Sequence, residues 1–141
     1  MARLLGLFRD WFGRSEPADD RLLTAVERLL ERDEAEFLLG APHSGEAAAG
    51  VCQLRYRFGL WYGAPDCLLE DLFVSEAARG SGLGSALLEG AIESARGHGC
   101  RRVELDVNER NEPAHALYER HGFSSRSSGL DGNDLMMRLK L

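Results

Sequence analysis

The feature that most constrains this chain is an apolar run that leads through a glycine-rich loop into a helical pattern. The run covers residues 67–74 and is broken only by Glu70 and Asp71, and apolar residues at helical spacing begin after Gly82. A strand that ends in such a loop presents free backbone N–H groups and the positive end of a helix dipole, an arrangement that binds phosphate. The sequence therefore predicts a strand, a phosphate-binding loop and a helix over residues 67–96.

The spacing of the glycines limits which phosphate ligand this loop can hold. Counted from Gly80, a G-x-G-x-x-G dinucleotide fingerprint fails because Ser85 stands at the last position. A P-loop needs a lysine after its final glycine, and the first lysine of the chain is Lys140. The remaining pattern is R-x-x-G-x-G over residues 79–84. A glycine-rich start of a helix can also be purely structural, and on these residues alone that alternative stays open.

The remaining pattern predicts one α/β (α+β) domain over residues 1–141. A chain of 141 residues with 44% hydrophobic residues has the size and composition of a single globular domain. Before the loop, the predicted elements are a helix over 3–12, a helix capped by Ser15 and two strands over 36–39 and 48–60. The buried stripe of the second helix is expected to comprise Leu22, Leu23, Val26, Leu29 and Leu30. After the loop, we expect a helix over 82–96, a strand over 103–107, a helix over 111–121 ended by Gly122, and an antiparallel pair over 123–125 and 135–141.

Charge and cysteine content argue against several kinds of partner. The net charge of −6 disfavours a nucleic-acid partner, because phosphate contacts need clustered Lys and Arg. The three cysteines, Cys52, Cys67 and Cys100, form no CxxC pair and no His/Cys cluster, so neither a metal site nor a disulfide framework is expected. Free thiols of this kind fit a cytoplasmic location.

The N-terminal residues 3–12 have the pattern of a short amphipathic helix. Its apolar runs are too short for a signal peptide or a membrane span. We expect this helix to dock on its own domain or on a second copy of the chain rather than on a membrane surface.

A second motif supplies the context for the loop. Residues 108–123 read N-E-R-N-E-P-A-H-A-L-Y-E-R-H-G-F and resemble the N-x-x-A-x-x-L-Y-x-x-x-G-F segment of the GNAT superfamily of N-acetyltransferases. The R-x-x-G-x-G pattern of residues 79–84 resembles the Q/R-x-x-G-x-G/A pyrophosphate loop of the same superfamily. The resemblance covers residues 46–141. Residues 69–74, with Asn-Glu-Pro at 111–113, look especially like spermidine/spermine and related diamine N-acetyltransferases.

The resemblance implies the GNAT fold, a mixed and mostly antiparallel central sheet with two splayed parallel strands and helices on both faces. It also implies acetyl-CoA as co-substrate, without a metal, in the gap between strands 67–74 and 102–108. The implied contacts with acetyl-CoA are the main chain of Leu72, Phe73 and Val74, the loop residues Arg79, Gly80, Ser81, Gly82, Leu83 and Gly84, and Asn111 and Ala114 near the thioester.

The implied reaction is attack of a neutral primary amine on the thioester carbonyl. An alkyl amine has a pKa of about 10.4, so roughly one molecule in a thousand is neutral at pH 7, and a carboxylate can accept the proton. Glu70 is the candidate base, because a charge inside a core strand is costly without a role or a partner. A salt bridge to Arg55 or Arg57 and binding of the cationic acceptor are the alternatives. Asp71, expected on the opposite face of the strand, is a candidate acceptor ligand.

Tyr118 falls where the superfamily places the hydroxyl that serves the leaving thiolate; the alternative is an ordinary core aromatic. Domains of this superfamily begin with a strand before the first helix, and no strand is predicted before Ser15. Three functions remain open: acetylation of a small-molecule amine, acetylation of a protein or peptide, and CoA binding without catalysis. The resemblance and the apolar N-terminal helix also suggest a homodimer.

Overall fold

The structure is a computed structural model that describes residues 1–32, 35–126 and 139. The described residues fall into two compact units, Met1–Leu105 and Asp106–Leu141. The single domain over residues 1–141 stays a prediction.

The first unit is built on a four-stranded sheet with the strand order β1-β2-β3-β4. Strands β1 (Glu36–Gly40), β2 (Gly50–Gly59) and β3 (Ala64–Val74) pair in order as two antiparallel ladders, and β4 (Val103–Glu104) joins β3 in parallel. This confirms the predicted mixed and mostly antiparallel sheet. Strand β3 begins three residues earlier than predicted, because its ladder with β2 continues to the pair Gly59 and Ala64.

Two strands predicted from apolar alternation differ from the structure. The strand predicted over 103–107 is only Val103–Glu104, because its parallel ladder with β3 stops after two residue pairs. Residues 123–125 form no strand in the described part of the chain. Residues 135–138 and 140–141 lie outside the described residues, so the predicted pairing with this segment stays a prediction.

Two helices precede the sheet, α1 (Ala2–Trp11) and α2 (Asp19–Glu31), and no strand occurs among the described residues before β1. The predicted cap at Ser15 is wrong: α2 begins at Asp19, and its N-cap residue is Ala18. The reason is Pro17, which disfavours helical backbone at the residue before it. The connection is also held by the Arg9 guanidinium, which donates to the carbonyl oxygen of Pro17 at 2.8 Å.

The predicted buried stripe of α2 is only partly correct. Val26 is buried and Leu22 and Leu29 are half-buried, whereas Leu23 is 48% exposed and Leu30 is 50% exposed. Residues 22, 26 and 29 follow one line along a helix of 3.6 residues per turn, while 23 and 30 lie about 100° further round. The helix therefore buries a narrower face than its apolar residues allow.

Helices cover both faces of the sheet. Successive residues of a strand point to opposite faces. Val51 of β2 packs with Leu4 of α1 and Val26 of α2. A Cβ on the adjacent Gly50 would instead lie 2.7 Å from Cδ1 of Leu87, which belongs to helix α3 (Leu83–Gly97). Thus α1 and α2 cover one face and α3 covers the other.

A pair of glycines lets α3 lie close to the sheet. Gly40 and Gly50 are cross-strand partners. A Cβ on Gly40 would lie 2.6 Å from Cδ1 of Leu83, closer than side-chain atoms approach in proteins. Because neither glycine has a side chain, the first two turns of α3 lie directly on β1 and β2. This contact fixes where the helix begins relative to the end of β3.

A polar cluster ties the C-terminal half of α3 to the sheet. The carboxylate of Glu36 accepts hydrogen bonds from the hydroxyl groups of Tyr56 and Ser94, each at 2.6 Å, and the Tyr56 ring stacks on His98 at 4.0 Å. Partial burial alone would raise the pKa of Glu36, but hydrogen bonds from Ser94 and Tyr56 outweigh it and lower the pKa.

The second unit contains helix α4 (Glu112–Arg120). Asn111 is its N-cap, and the side-chain oxygen of Asn111 accepts a hydrogen bond from the N–H of Ala114 at 3.4 Å. Gly122 follows the helix with φ +86°, a left-handed conformation that favours glycine, so its predicted role in ending the helix is confirmed.

Candidate active site

The loop after β3 reaches α3 through a short 3-10 helix, Glu76–Ala78, and two glycines. Gly80 has φ +80° and Gly82 has φ +86°, the left-handed region that other residues rarely adopt. A Cβ at either position would meet nothing within 4 Å. Backbone conformation therefore requires these glycines, and the space outside the loop is open to a ligand.

The N-terminus of α3 carries no acidic side chain in its first turn, and its N-cap is Gly82. The hydroxyl of Ser81 donates to the carbonyl oxygen of Ala78 at 2.8 Å and accepts from the N–H of Leu83 at 3.4 Å. The other N–H groups of a first helical turn have no intrahelical partner, and the helix dipole adds positive potential there. This geometry supports the predicted pyrophosphate site over residues 79–84.

Arg79 is the cation of this loop, and two contacts orient its side chain. Its Nε–H donates to the carbonyl oxygen of Val74 at 3.2 Å. Its guanidinium carbon lies 5.5 Å from the ring centroid of Trp11, the last residue of α1. The sequence pattern predicted the position of Arg79 in the loop but not its contact with the N-terminal helix.

Beside the loop, the two parallel strands separate. The ladder between β3 and β4 consists of the pairs Cys67 with Val103 and Leu68 with Glu104, whereas β3 remains paired with β2 as far as Val74. Among the described residues, 69–74 thus have no ladder partner on the β4 side. Main-chain N–H and C=O groups need hydrogen-bond partners when buried, so this open edge suits the amides of a pantetheine arm.

The side chains of the same segment hold the strand on the core. Phe73 is buried and its ring stacks on Phe8 of α1 with 5.1 Å between centroids. Leu72 and Val74 are half-buried. The predicted contacts of these three residues use the main chain, whose edge toward β4 has no strand partner among the residues that the structure describes.

Glu70 lies in a β-bulge, because the register between β2 and β3 shifts between Gln53 and Leu54 and leaves Glu70 as the extra residue. Its side chain is 41% exposed, so the expectation of a charge inside the core is wrong. The Nε2 of Gln53 donates to Glu70 Oε2 at 2.7 Å, and the guanidinium of Arg55 lies 3.8 Å from the same oxygen, as the salt-bridge alternative predicted. Gln53 is also the cross-strand partner of Asp71. The bulge therefore breaks the alternation on which the prediction of opposite faces for the two carboxylates rested.

A cavity of about 220 Å³ lies between α1, α2 and the sheet, next to this bulge. Its walls are largely apolar and include Leu5, Phe8, Phe12 and Val26, and its polar lining includes Gln53 and Asp71.

Charged residues of the connection between α1 and α2 complete the cavity wall. The Arg9 guanidinium is paired with the carboxylates of Asp10 at 2.6 Å and Asp19 at 2.8 Å, and these hydrogen bonds raise the pKa of Arg9. Arg14 packs over the Phe12 ring, 5.4 Å from its centroid. Glu16 also lines the cavity. An acceptor there would meet carboxylates and aromatic rings together with the guanidinium groups of Arg9 and Arg14.

In the second unit, Tyr118 is half-buried on α4 and its ring lies 5.8 Å from that of Phe123. Asn111 and Ala114 are joined by the capping hydrogen bond of α4, so Asn111 has a local structural role whether or not it contacts acetyl-CoA. The roles of these three residues at the thioester stay predictions.

The cysteines have the environment expected of packing residues. All three are free, and burial raises the pKa of Cys52 and of Cys67 to about 12.

In the described ranges, no three His, Cys, Asp or Glu side chains are grouped so that they could hold a metal ion. Within those ranges, too, no helix is long and apolar enough to cross a membrane.

Fold, loop and open strand edge define the class of the protein. Residues 2–123 match the acetyltransferase (GNAT) family, so the chain belongs to this family. This confirms the family resemblance and the predicted fold. The match includes α1.

Particular relatives differ in the acceptor for which they are named. The chain is 35% identical over 97 residues to a 5-NmdU N-acetyltransferase of Pseudomonas phage PaMx11, covering 69% of this chain and 64% of that protein. It is 31% identical over 94 residues to a Bacillus subtilis protein provisionally named a ribosomal protein bS18-alanine N-acetyltransferase, covering 67% of this chain and 57% of that one. The chain thus spans less than two thirds of the length of either relative. A solved structure from Arthrobacter sp. FB24, provisionally described as an acetyltransferase, superposes with a TM-score of 0.86 at 30% identity, covering 99% of this chain and 87% of that chain.

Proposed function

We propose that this protein transfers the acetyl group of acetyl-CoA to the primary amine of a small cationic acceptor, by direct attack in a ternary complex. The observation that carries the proposal is the combination, within the first unit, of a loop suited to pyrophosphate and a strand edge left open by the separation of β3 and β4. Family membership supports the reaction, and the acceptor is argued from the cavity.

Acetyl-CoA would be held mainly by the backbone. The N–H groups of Gly80, Gly82 and Gly84, with the start of α3, would bind the pyrophosphate, and Arg79 would add a charge-assisted contact. The main chain of residues 72–74 would pair with the pantetheine amides. Asn111 and Ala114 keep their predicted place near the thioester on the resemblance.

The reaction balances without a metal. The lone pair of the amine nitrogen attacks the thioester carbonyl carbon, the C–N bond forms, and the C–S bond breaks as the tetrahedral intermediate collapses. The proton of the attacking amine passes to a base, for which Glu70 is the candidate, directly or through a water. The CoA thiolate takes a proton from the candidate acid Tyr118.

The bulge supports a role of Glu70 in the site rather than in the core. Bulges re-aim side chains and are common next to active sites. Gln53 and Arg55 both contact the Glu70 carboxylate and hold it at the bulge. As a second possibility, the same carboxylate binds the cationic acceptor, and the experiment below separates the two.

The cavity beside Asp71 supports a small acceptor. Its volume of about 220 Å³ is below the roughly 300–1,000 Å³ of pockets for drug-sized ligands. Asp71 and Glu16 can attract an ammonium group, and the Phe8 and Phe12 rings can pack against it or its carbon chain. Diamine and polyamine acceptors are the finer form of this proposal, although neither curated relative described above is named for them.

Acetylation of a protein N-terminus is the rival function, supported by the relative provisionally named for a ribosomal protein. Such an acceptor needs a groove that continues beyond the cavity. The third function, CoA binding without turnover, is disfavoured by the presence of both Glu70 and Tyr118.

The proposal is tested by acceptor-dependent release of CoA, measured by chromatography, over a panel of diamines, polyamines, amino acids, 5-NmdU and short peptides with N-terminal alanine. We expect turnover with a small amine, a lowered kcat in Glu70→Gln and Tyr118→Phe, and a raised acceptor KM in Asp71→Asn. Glu93→Gln, on the exposed face of α3, is the matched control and should retain wild-type kinetics.

Each alternative gives a different result. Turnover restricted to peptides would replace the small amine with a protein acceptor. An unchanged kcat but raised KM in Glu70→Gln would make Glu70 an acceptor ligand. Saturable binding of acetyl-CoA without turnover on any acceptor would contradict the proposed enzyme.

A further inference from the structure

The N-terminal helix contacts the loop proposed to bind the pyrophosphate of acetyl-CoA. Trp11 closes α1, and its indole ring lies under the guanidinium of Arg79 at 5.5 Å. A guanidinium within about 6 Å of a Trp centroid is attracted by the ring quadrupole, and Trp is the strongest of the aromatic partners. No sequence pattern links these two residues, which are far apart in the chain.

Trp11 is itself held in place by neighbouring rings. It stacks on Phe8 with 6.1 Å between centroids and meets Phe12 edge to face at 5.0 Å. Phe8 in turn stacks on Phe73 of β3 at 5.1 Å. The platform under Arg79 is therefore anchored to the strand proposed to hold pantetheine.

The two contacts of Arg79 leave its ligand-binding donors available. Its Nε–H is used by the carbonyl oxygen of Val74. Within the described residues, the four N–H donors of the two terminal nitrogens remain for an anion, and a guanidinium binds phosphate best with two parallel hydrogen bonds. A flexible arginine loses much rotamer freedom when it binds, so a side chain placed in advance binds more tightly.

We propose that Trp11 is a positioning residue for the co-substrate, which holds the Arg79 guanidinium at the loop before the pyrophosphate arrives. This inference rests on the proposed function only in so far as the loop binds acetyl-CoA, and it does not require turnover. The chain thereby uses its N-terminal helix as part of the co-substrate site.

The test compares acetyl-CoA with acetyl-pantetheine, which lacks the whole 3′-phospho-ADP part of the co-substrate and with it the pyrophosphate. Affinities of acetyl-CoA and acetyl-pantetheine are measured for the wild type and for Trp11→Leu, by calorimetry or, for the weaker ligand, by ligand-observed NMR. We expect Trp11→Leu to weaken acetyl-CoA binding by about two- to five-fold, the equivalent of about 0.5–1 kcal/mol, and to leave acetyl-pantetheine unchanged. The matched control is Trp61→Leu, a ring that is 92% exposed, and it should change neither affinity.

A double-mutant cycle shows whether Trp11 acts through Arg79. In an Arg79→Ala background, Trp11→Leu should cause no further loss of acetyl-CoA affinity. The inference is overturned by an equal loss for both ligands, which would mean damage to the strand, or by unchanged or tighter acetyl-CoA binding. The inference is also overturned if the wild type binds acetyl-CoA no more tightly than acetyl-pantetheine. Failure of the wild type to bind acetyl-CoA at all would overturn the proposed function as well.

Discussion

Replacement of Gly50 by alanine tests how closely α3 lies on the sheet. A Cβ at this position would be 2.7 Å from Cδ1 of Leu87, 3.2 Å from Cδ2 of Leu83 and 3.3 Å from the carbonyl oxygen of Phe73. The leucine methyl groups can turn aside in part, but the carbonyl oxygen belongs to the β2–β3 ladder and cannot. The helix must therefore move away from the sheet, or the strand must bend.

The magnitude follows from two opposing effects. Overpacking of a well-filled site costs about 1–3 kcal/mol. Replacing a glycine within a strand by alanine recovers roughly 0.5–1 kcal/mol of backbone entropy. We therefore expect Gly50→Ala to lower the free energy of unfolding by about 1–2 kcal/mol.

Gly90→Ala is the matched control, because it adds the same methyl group to the interior of α3. Its Cβ would lie 3.5 Å from Cδ1 of Leu38, an ordinary van der Waals distance. Removal of a glycine from a helix interior should raise the free energy of unfolding by up to about 1 kcal/mol. Urea unfolding followed by circular dichroism should thus show opposite signs for the two variants. Equal stabilisation by both would refute the close packing of α3 on Gly50.

Three further predictions concern the thiols, one carboxylate and the loop. Iodoacetamide should label Cys100 of the native protein faster than Cys52 and Cys67, because these two thiols are buried and have a pKa of about 12. As a control, mass spectrometry after unfolding should show labelling of all three. The folded-state pKa of Glu36 is lowered, so its contribution to stability is present above the unfolded pKa of about 4.5 and is lost as the pH falls through the folded value. Glu36→Gln should therefore destabilise the protein at pH 7 and have a smaller effect at pH 3, measured by urea unfolding. Gly82→Ala should cost about 1–2 kcal/mol of loop strain and weaken acetyl-CoA binding, and Gly82→Asn should cost less in an unfolding titration because Asn tolerates positive φ.

Most of the framework could be predicted from local patterns. Apolar alternation and turn residues gave the first three strands to within a few residues, and helical spacing gave α1, α3 and α4. The loop over residues 79–84 was predictable because glycine spacing is a local property of the chain. Family membership followed from two motifs in the right order.

What could not be predicted depends on contacts between distant residues. The bulge at Glu70 is a mismatch in register between two strands, so strict alternation placed Glu70 and Asp71 incorrectly. Leu23 and Leu30 are exposed, and periodicity does not specify which part of an apolar face will be buried. The contact of Trp11 with Arg79 joins the end of the first helix to the loop, and no spacing in the sequence indicates it.

The start of α2 shows a third kind of difference. Ser15 has the residue type of a helix cap, and acidic residues follow it as they do at helix starts. Pro17 nevertheless disfavours helical backbone at Glu16, the residue that would follow a Ser15 cap, and the helix begins at Asp19. The rule was available from the sequence, and it outweighs the preference for a serine cap.

The most direct test of the account is amide hydrogen exchange, measured by mass spectrometry with and without saturating acetyl-CoA. The account predicts slower exchange on binding in two segments, residues 72–74 at the open strand edge and residues 80–85 at the loop and the start of α3. Acetyl-pantetheine should protect the strand edge but not the loop, because it lacks the pyrophosphate. Protection of neither segment, or protection confined to other parts of the chain, would contradict the assignment of this loop and edge to acetyl-CoA.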